Sequence, residues 1–175
     1  MKAKGEQGFT LIELLIVVAI ISIIAAIAVP GLLRARMTGN ETSAIASLKV
    51  TTSSQVAYSA SWGNGGYAST YAILGTPPTG TTEAFISSDL GHAAPVLKSG
   101  YTFTLGAGAG SVAGPLDGAG TATITAWLAT GLPQTFGTTG TRGFAVNAGN
   151  TIWQNTAGTA PPEPFTAGAT INPIQ

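Results

Sequence analysis

The sequence predicts an α+β fold in which one long N-terminal helix, apolar in its first half and amphipathic in its second, packs on a small antiparallel β-sheet. Three observations carry that expectation. Residues 14–29 form an apolar run interrupted only by Ser22. From Leu33 to Ser59, apolar or small side chains recur at three- and four-residue steps, the spacing of one helical face. Beyond residue 100 the pattern changes to short alternating stretches punctuated by glycine, as strands and tight turns require.

Composition narrows the function classes. The chain has 175 residues, enough for one domain plus an anchor or tail. Only 8% of them are charged, against roughly 25% in ordinary soluble domains. Seven Lys and Arg balance seven Asp and Glu, so no excess of positive charge favours nucleic acid. Cysteine is absent, which removes disulfide frameworks and thiolate metal sites.

The first element is the N-terminal apolar segment. Residues 9–29 number 21, and as a helix they would be about 31 Å long, roughly one hydrocarbon thickness. A secretory signal would have a shorter apolar core, and a soluble core helix would rarely stay apolar so long without a polar face. Lys2 and Lys4 lie before the run and Arg34 and Arg36 after it, so basic residues alone do not orient the span. The bulk of the polar sequence follows the run. Glu13 places a carboxylate one turn inside this helix, where a charge is costly and marks a functional position. It needs a cation or a proton. The plainer alternative is a tolerated acid near the membrane edge.

Gly8-Phe9-Thr10-Leu11-Ile12-Glu13-Leu14-Leu15-Ile16-Val17-Val18-Ala19-Ile20 strongly resembles the prepilin signature of type IV pilins and of the related pseudopilins of type II secretion. The likeness runs through the helix to Pro30 and covers about the first third of the chain. It implies that residues 1–8 are a leader removed on maturation. A membrane-embedded prepilin peptidase would cut between Gly8 and Phe9 and N-methylate Phe9. The new α-amine would lie four residues from Glu13 on the same helical face. It could pair with its own Glu13 or with that of a neighbouring subunit, and the resemblance favours the neighbour. Such a pair would set register between subunits, as a lone polar group does in a coiled coil.

Pro30 ends the apolar run. A proline inside a helix removes a hydrogen bond and kinks or unwinds the preceding turn, and Gly31 adds freedom there. We expect a bend or a locally unwound stretch at Pro30, the alternative being a plain helix end at Val29. The amphipathic half follows, with Leu33, Met37, Ile45, Leu48, Thr52, Val56 and Ser59 on the expected core stripe and one turn missing near Glu41. It should end at the glycine-rich residues 62–66. The expected organisation is therefore leader 1–8, membrane and filament-core helix 9–30, amphipathic helix 31–62 and globular domain 63–175.

Within the globular part, residues 76–80 read as a turn-rich connector and residues 82–90 as a short helix capped by Thr81 or Thr82. Strand candidates are residues 101–105, 121–128, 143–148 and 151–155, the last two joined by Gly149-Asn150 as a hairpin. Residues 106–120 read as a low-complexity loop, and the prolines at 161, 162, 164 and 173 argue against regular structure in the tail. About four strands result. Residues 98–103 and 140–144 also look like pilin-domain segments.

Chemistry-bearing constellations are absent from the sequence. His92 is the lone histidine and receives no role. Asp89, Asp117 and Glu163 are too dispersed for a calcium loop, and no glycine-rich stretch carries a phosphate-binding lysine. Nucleophilic hydroxyls lack a base. Asn40-Glu41-Thr42 matches a glycosylation acceptor by a triplet that is common by chance, and Trp62, Trp127 and Trp153 read first as core. We therefore expect no enzyme, no metal and no cofactor.

What the resemblance implies is the major pilin of a type IV pilus. The subunit would sit in the inner membrane with its C-terminal domain outside the cytoplasm. An assembly platform with a cytoplasmic ATPase would then draw it into a homopolymeric extracellular filament for adhesion, twitching motility or DNA uptake. The alternatives are a type II secretion pseudopilin and a minor pilin acting as a tip adhesin.

Overall fold

The computed structural model describes residues 9–92 and 95–174, so the expected leader, with Lys2, Lys4 and Gly8, lies outside the described residues. The chain divides into two compact units between Arg36 and Met37.

The helix α1 spans Leu11–Ser61 and is unbroken at Pro30. It does not stop at Val29, and its assigned end meets the glycine cluster that follows. In the first unit, all of residues 9–36 are exposed, with Leu11 80%, Ile12 65% and Ile27 78% accessible. An apolar stripe of this length has no partner within its own unit. α1 is the one helix among the described residues long and apolar enough to cross a membrane.

The second unit holds the rest of α1, a short helix α2 (Tyr71–Gly75) and eight strands. These are β1 (Val96–Lys98), β2 (Tyr101–Ala107), β3 (Ala113–Leu116), β4 (Ala122–Ile124), β5 (Trp127–Pro133), β6 (Gly143–Asn147), β7 (Trp153–Asn155) and β8 (Ile171–Pro173). Six strands form one sheet in the order β1-β2-β5-β6-β7-β8, and β3 and β4 form a separate ribbon. Every pairing is antiparallel. The expected α+β arrangement is therefore what the chain adopts, with an antiparallel sheet larger than four strands. The β6–β7 hairpin turns at Asn150, which takes the left-handed φ of 59° that short turns need.

Several local expectations are corrected. Residues 82–90 are not helical; they form bends and a turn. The short helix lies earlier, at α2, where the Thr70 hydroxyl caps the Ile73 N–H. Residues 121–128 divide between β4 and β5, which belong to different sheets. The low-complexity stretch after residue 105 completes β2 and contains β3, and the proline-rich tail contains β8. Pro173 stands in the edge strand, where a missing N–H is tolerated.

The core stripe of α1 is also rotated from the expected one. The buried positions are Glu41, Ala44, Ser47, Leu48, Thr51, Ser54, Gln55 and Tyr58. Val56 and Leu33 are about half exposed, and Thr52 and Ser59 lie at the margin. The buried face still repeats at helical spacing, but five of its eight residues are polar. Across it the sheet contributes Phe103, Trp127, Ala129, Phe144 and Val146 to one continuous core. Phe103 faces Gly131 on β5, where a Cβ would come within 3.0 Å of the ring. Glycine there leaves room for the aromatic ring against the strand.

Candidate functional site

The site residues expected from sequence concentrate at the head of α1. Phe9 is 86% exposed and, like Thr10, precedes the first helical turn. Glu13 bends back onto Thr10. Its Oε2 accepts from the Thr10 N–H at 2.9 Å and from the Thr10 hydroxyl at 2.6 Å, while its own N–H donates to Thr10 Oγ1 at 3.3 Å. This is a capping box, in which two otherwise orphaned donors at a helix start are satisfied reciprocally. The Thr-x-x-Glu spacing before an apolar run could have disclosed it from sequence. Gly8 lies outside the described residues.

A second polar cluster, unforeseen from sequence, fastens α1 within the second unit. Glu41 is buried, yet its carboxylate is fully met. Oε1 accepts from Thr141 N–H at 2.8 Å, the Thr141 hydroxyl at 2.9 Å and Arg142 N–H at 3.2 Å. Oε2 accepts from Arg142 Nε at 2.8 Å and pairs with Nη2 at 2.7 Å. Arg142 also donates to Gln154 and lies over the Phe144 ring, and its carbonyl accepts the Tyr101 hydroxyl. Burial by itself would raise the Glu41 carboxyl. The hydrogen bonds from Thr141 and Arg142 and the guanidinium charge outweigh it and hold the group below the ordinary carboxylate range. Asn40 donates its side-chain amide to Thr139 O at 2.9 Å, so the apparent glycosylation triplet is tied into this joint.

Further along α1, Gln55 exchanges two hydrogen bonds with the Ala68 backbone at 2.8 and 2.9 Å, and Ser54 donates to Phe85 O. Thr51 meets the Tyr71 hydroxyl at 3.0 Å, and burial pushes that phenol up to about 12. Tyr58 donates to Asp117 at 2.7 Å, and the other Asp117 oxygen accepts from the Ala119 and Thr121 N–H groups. The remaining acids are likewise placed apart. Glu163 accepts from Ala109 N–H and Asn147, and Asp89 pairs with Lys98 and Ser87. His92 is exposed. Among the described residues no three His, Asp or Glu side chains come together as metal ligands. Of the tryptophans, Trp127 is core, whereas Trp62 and Trp153 are half-buried.

Comparison with known proteins bears on the head of α1. The family described as "Prokaryotic N-terminal methylation motif" matches residues 3–29. A protein of Thermus thermophilus, described as "Type IV wide pilus major component PilA4", is 45% identical over 71 residues, which cover 41% of this chain and 53% of that protein. The match thus spans about half the length of the curated relative. No solved structure matches. The chain carries a prepilin-type N-terminus, and its similarity is to a type IV pilin.

Proposed function

We propose that this chain, a type IV pilin by its N-terminal motif and its likeness to a pilus component, is a major subunit that polymerises into an extracellular filament. In this reading water is added across the Gly8–Phe9 bond by prepilin peptidase, leaving a carboxylate on Gly8 and an amine on Phe9. The amine then attacks the methyl carbon of a sulfonium methyl donor, breaking its S–CH3 bond and releasing the thioether and a proton. Residues 9–30 anchor the subunit in the inner membrane, with residues 63–175 outside the cytoplasm. An ATPase-driven platform transfers it to the filament, which serves adhesion, motility or DNA uptake.

The observation that carries this reading is the exposed apolar helix headed by one acid. Each Leu or Ile fully buried is worth roughly 1.5–3 kcal/mol relative to water. Lipid removes that surface from water before assembly, and neighbouring helices do so afterwards. Glu13 exchanges its Thr10 partner for the Phe9 amine of an adjacent subunit.

Two variants test it. Glu13→Ala should be processed to a chain starting at Phe9 yet yield few sheared surface filaments. Gly8→Glu should keep its leader, as N-terminal sequencing would reveal. Normal filament yield from the first variant would remove the pairing, and a Phe9 start in the second would remove the cleavage assignment.

A further inference from the structure

We propose that the cleft around Trp62 is a binding site for a neutral oligosaccharide, with one pyranose ring stacked on the indole. The site lies in the second unit and does not depend on filament assembly. Trp62 follows directly on α1, half-buried at the edge of the core. Gly118 backs one face of its ring so closely that a Cβ there would stand 2.9 Å from Cδ2, Cε2 and Cε3. The Gly118 N–H also donates to the Trp62 carbonyl at 3.0 Å. Gly118 thereby holds the indole from one side, and Trp62 lines the two hollows described next.

Two hollows meet along Trp62 and Pro78. The smaller, of about 180 Å³, is bounded also by Tyr58, Thr76, Asp117 and Thr121. The larger, of about 670 Å³, is bounded by Ser61, Thr81, Thr82, Glu83 and Phe85. The second volume falls in the range of small-molecule sites.

The chemistry of the walls selects the ligand. No Lys or Arg lines either hollow, while Asp117 and Glu83 do, which disfavours anions. Hydroxyls surround the aromatic face. Asp117 is buried and already accepts from the Tyr58 hydroxyl, the Ala119 and Thr121 N–H groups and the Thr121 side chain, so the acid a sugar would meet is the exposed Glu83. A pyranose offers a flat C–H face to the indole and hydroxyls to the acid and threonines. A proline-rich peptide would want a row of exposed rings, and Tyr58, the other ring at the smaller hollow, is only 1% exposed.

The test uses the full chain in a detergent without a sugar headgroup, with cellotriose, maltotriose and chitotriose as probes. At least one should receive saturation transfer from the protein and produce a saturable change in tryptophan fluorescence. Trp62→Leu should weaken that binding about tenfold or more. Thr79→Arg, placed at the exposed mouth of the smaller hollow, should do the same without touching the core, and decides the matter if Trp62→Leu does not fold. Trp153→Phe should leave it unchanged. No response to any of the three sugars, or equal responses in both cleft variants, would overturn the proposal. So would saturable binding of a proline-rich peptide at Trp62 without any sugar binding.

Discussion

Arg142 gives Glu41 both its counter-charge and three of its five polar contacts, counting the Arg142 N–H. The Glu41 side chain is only 7% exposed. Replacing Arg142 by Met leaves that carboxylate half met in a place water reaches poorly. The expected cost is about 3 kcal/mol, as for other broken buried pairs, measured by denaturant unfolding at pH 7. The pH dependence has a definite sign. The folded Glu41 carboxyl lies below its unfolded value of 4.5, so the stabilisation is complete above that value and is lost as pH falls through the folded value. Asp117 acts in the same sense from an unfolded 3.8, because its hydrogen bonds outweigh the upward push of burial. The unfolding midpoint should therefore be flat from neutrality to about pH 5 and fall below it. Glu41→Gln should be less stable at pH 7 and show a shallower acid slope. An unchanged slope would assign the acid sensitivity elsewhere.

At the scale of elements, the Thr10–Glu13 box fixes where α1 begins. Thr10→Ala removes the hydroxyl that both caps the helix and holds the Glu13 carboxylate. The first turn should lose about 1 kcal/mol. Amide exchange at Ile12 and Glu13 in detergent micelles should quicken, while Thr10→Ser stays close to the parent. Equal exchange in all three chains would mean that the box does not set the helix start. The extent of α1, the core of β2 and the β6–β7 hairpin were legible in the sequence because each carries a strong signal: an apolar run, an alternation, a Gly-Asn turn. The buried face of α1 was not, because Glu41, Thr51, Ser54 and Gln55 face inward, and apolar periodicity cannot register a polar seam satisfied from another element. β1 and β8 are three residues long and owe their conformation to the neighbours they pair with. β5 reads poorly as a strand because Gly131 and Pro133 interrupt it, yet Gly131 is what admits the Phe103 ring. At the candidate site, Gly8, Phe9, Glu13 and Pro30 stood out in the sequence and the Thr10 cap was readable in its Thr-x-x-Glu spacing, whereas the Glu41–Arg142 joint joins residues 101 positions apart and carries no local signal.

For the whole molecule, the division between Arg36 and Met37 separates two kinds of stability. Among the described residues, every member of the continuous core lies at Ala44 or beyond, and none belongs to the first unit. The polar joint to residues 139–142, which lead into β6, likewise begins at Asn40. The apolar helix 9–36 therefore acts through the surface it presents rather than by holding the sheet together. A chain beginning at Met37 should fold by itself, unfold in one cooperative step and retain the acid sensitivity of Glu41. With the exposed Leu and Ile stripe gone, the drive to bury it against lipid or other copies goes too. This shortened chain should sediment as a monomer without detergent, and its unfolding midpoint should lie within a few degrees of the full chain in micelles. If it aggregates or is unfolded at 25 °C, residues before Met37 stabilise the domain directly. The separation of an autonomous domain from an exposed apolar helix would then fail.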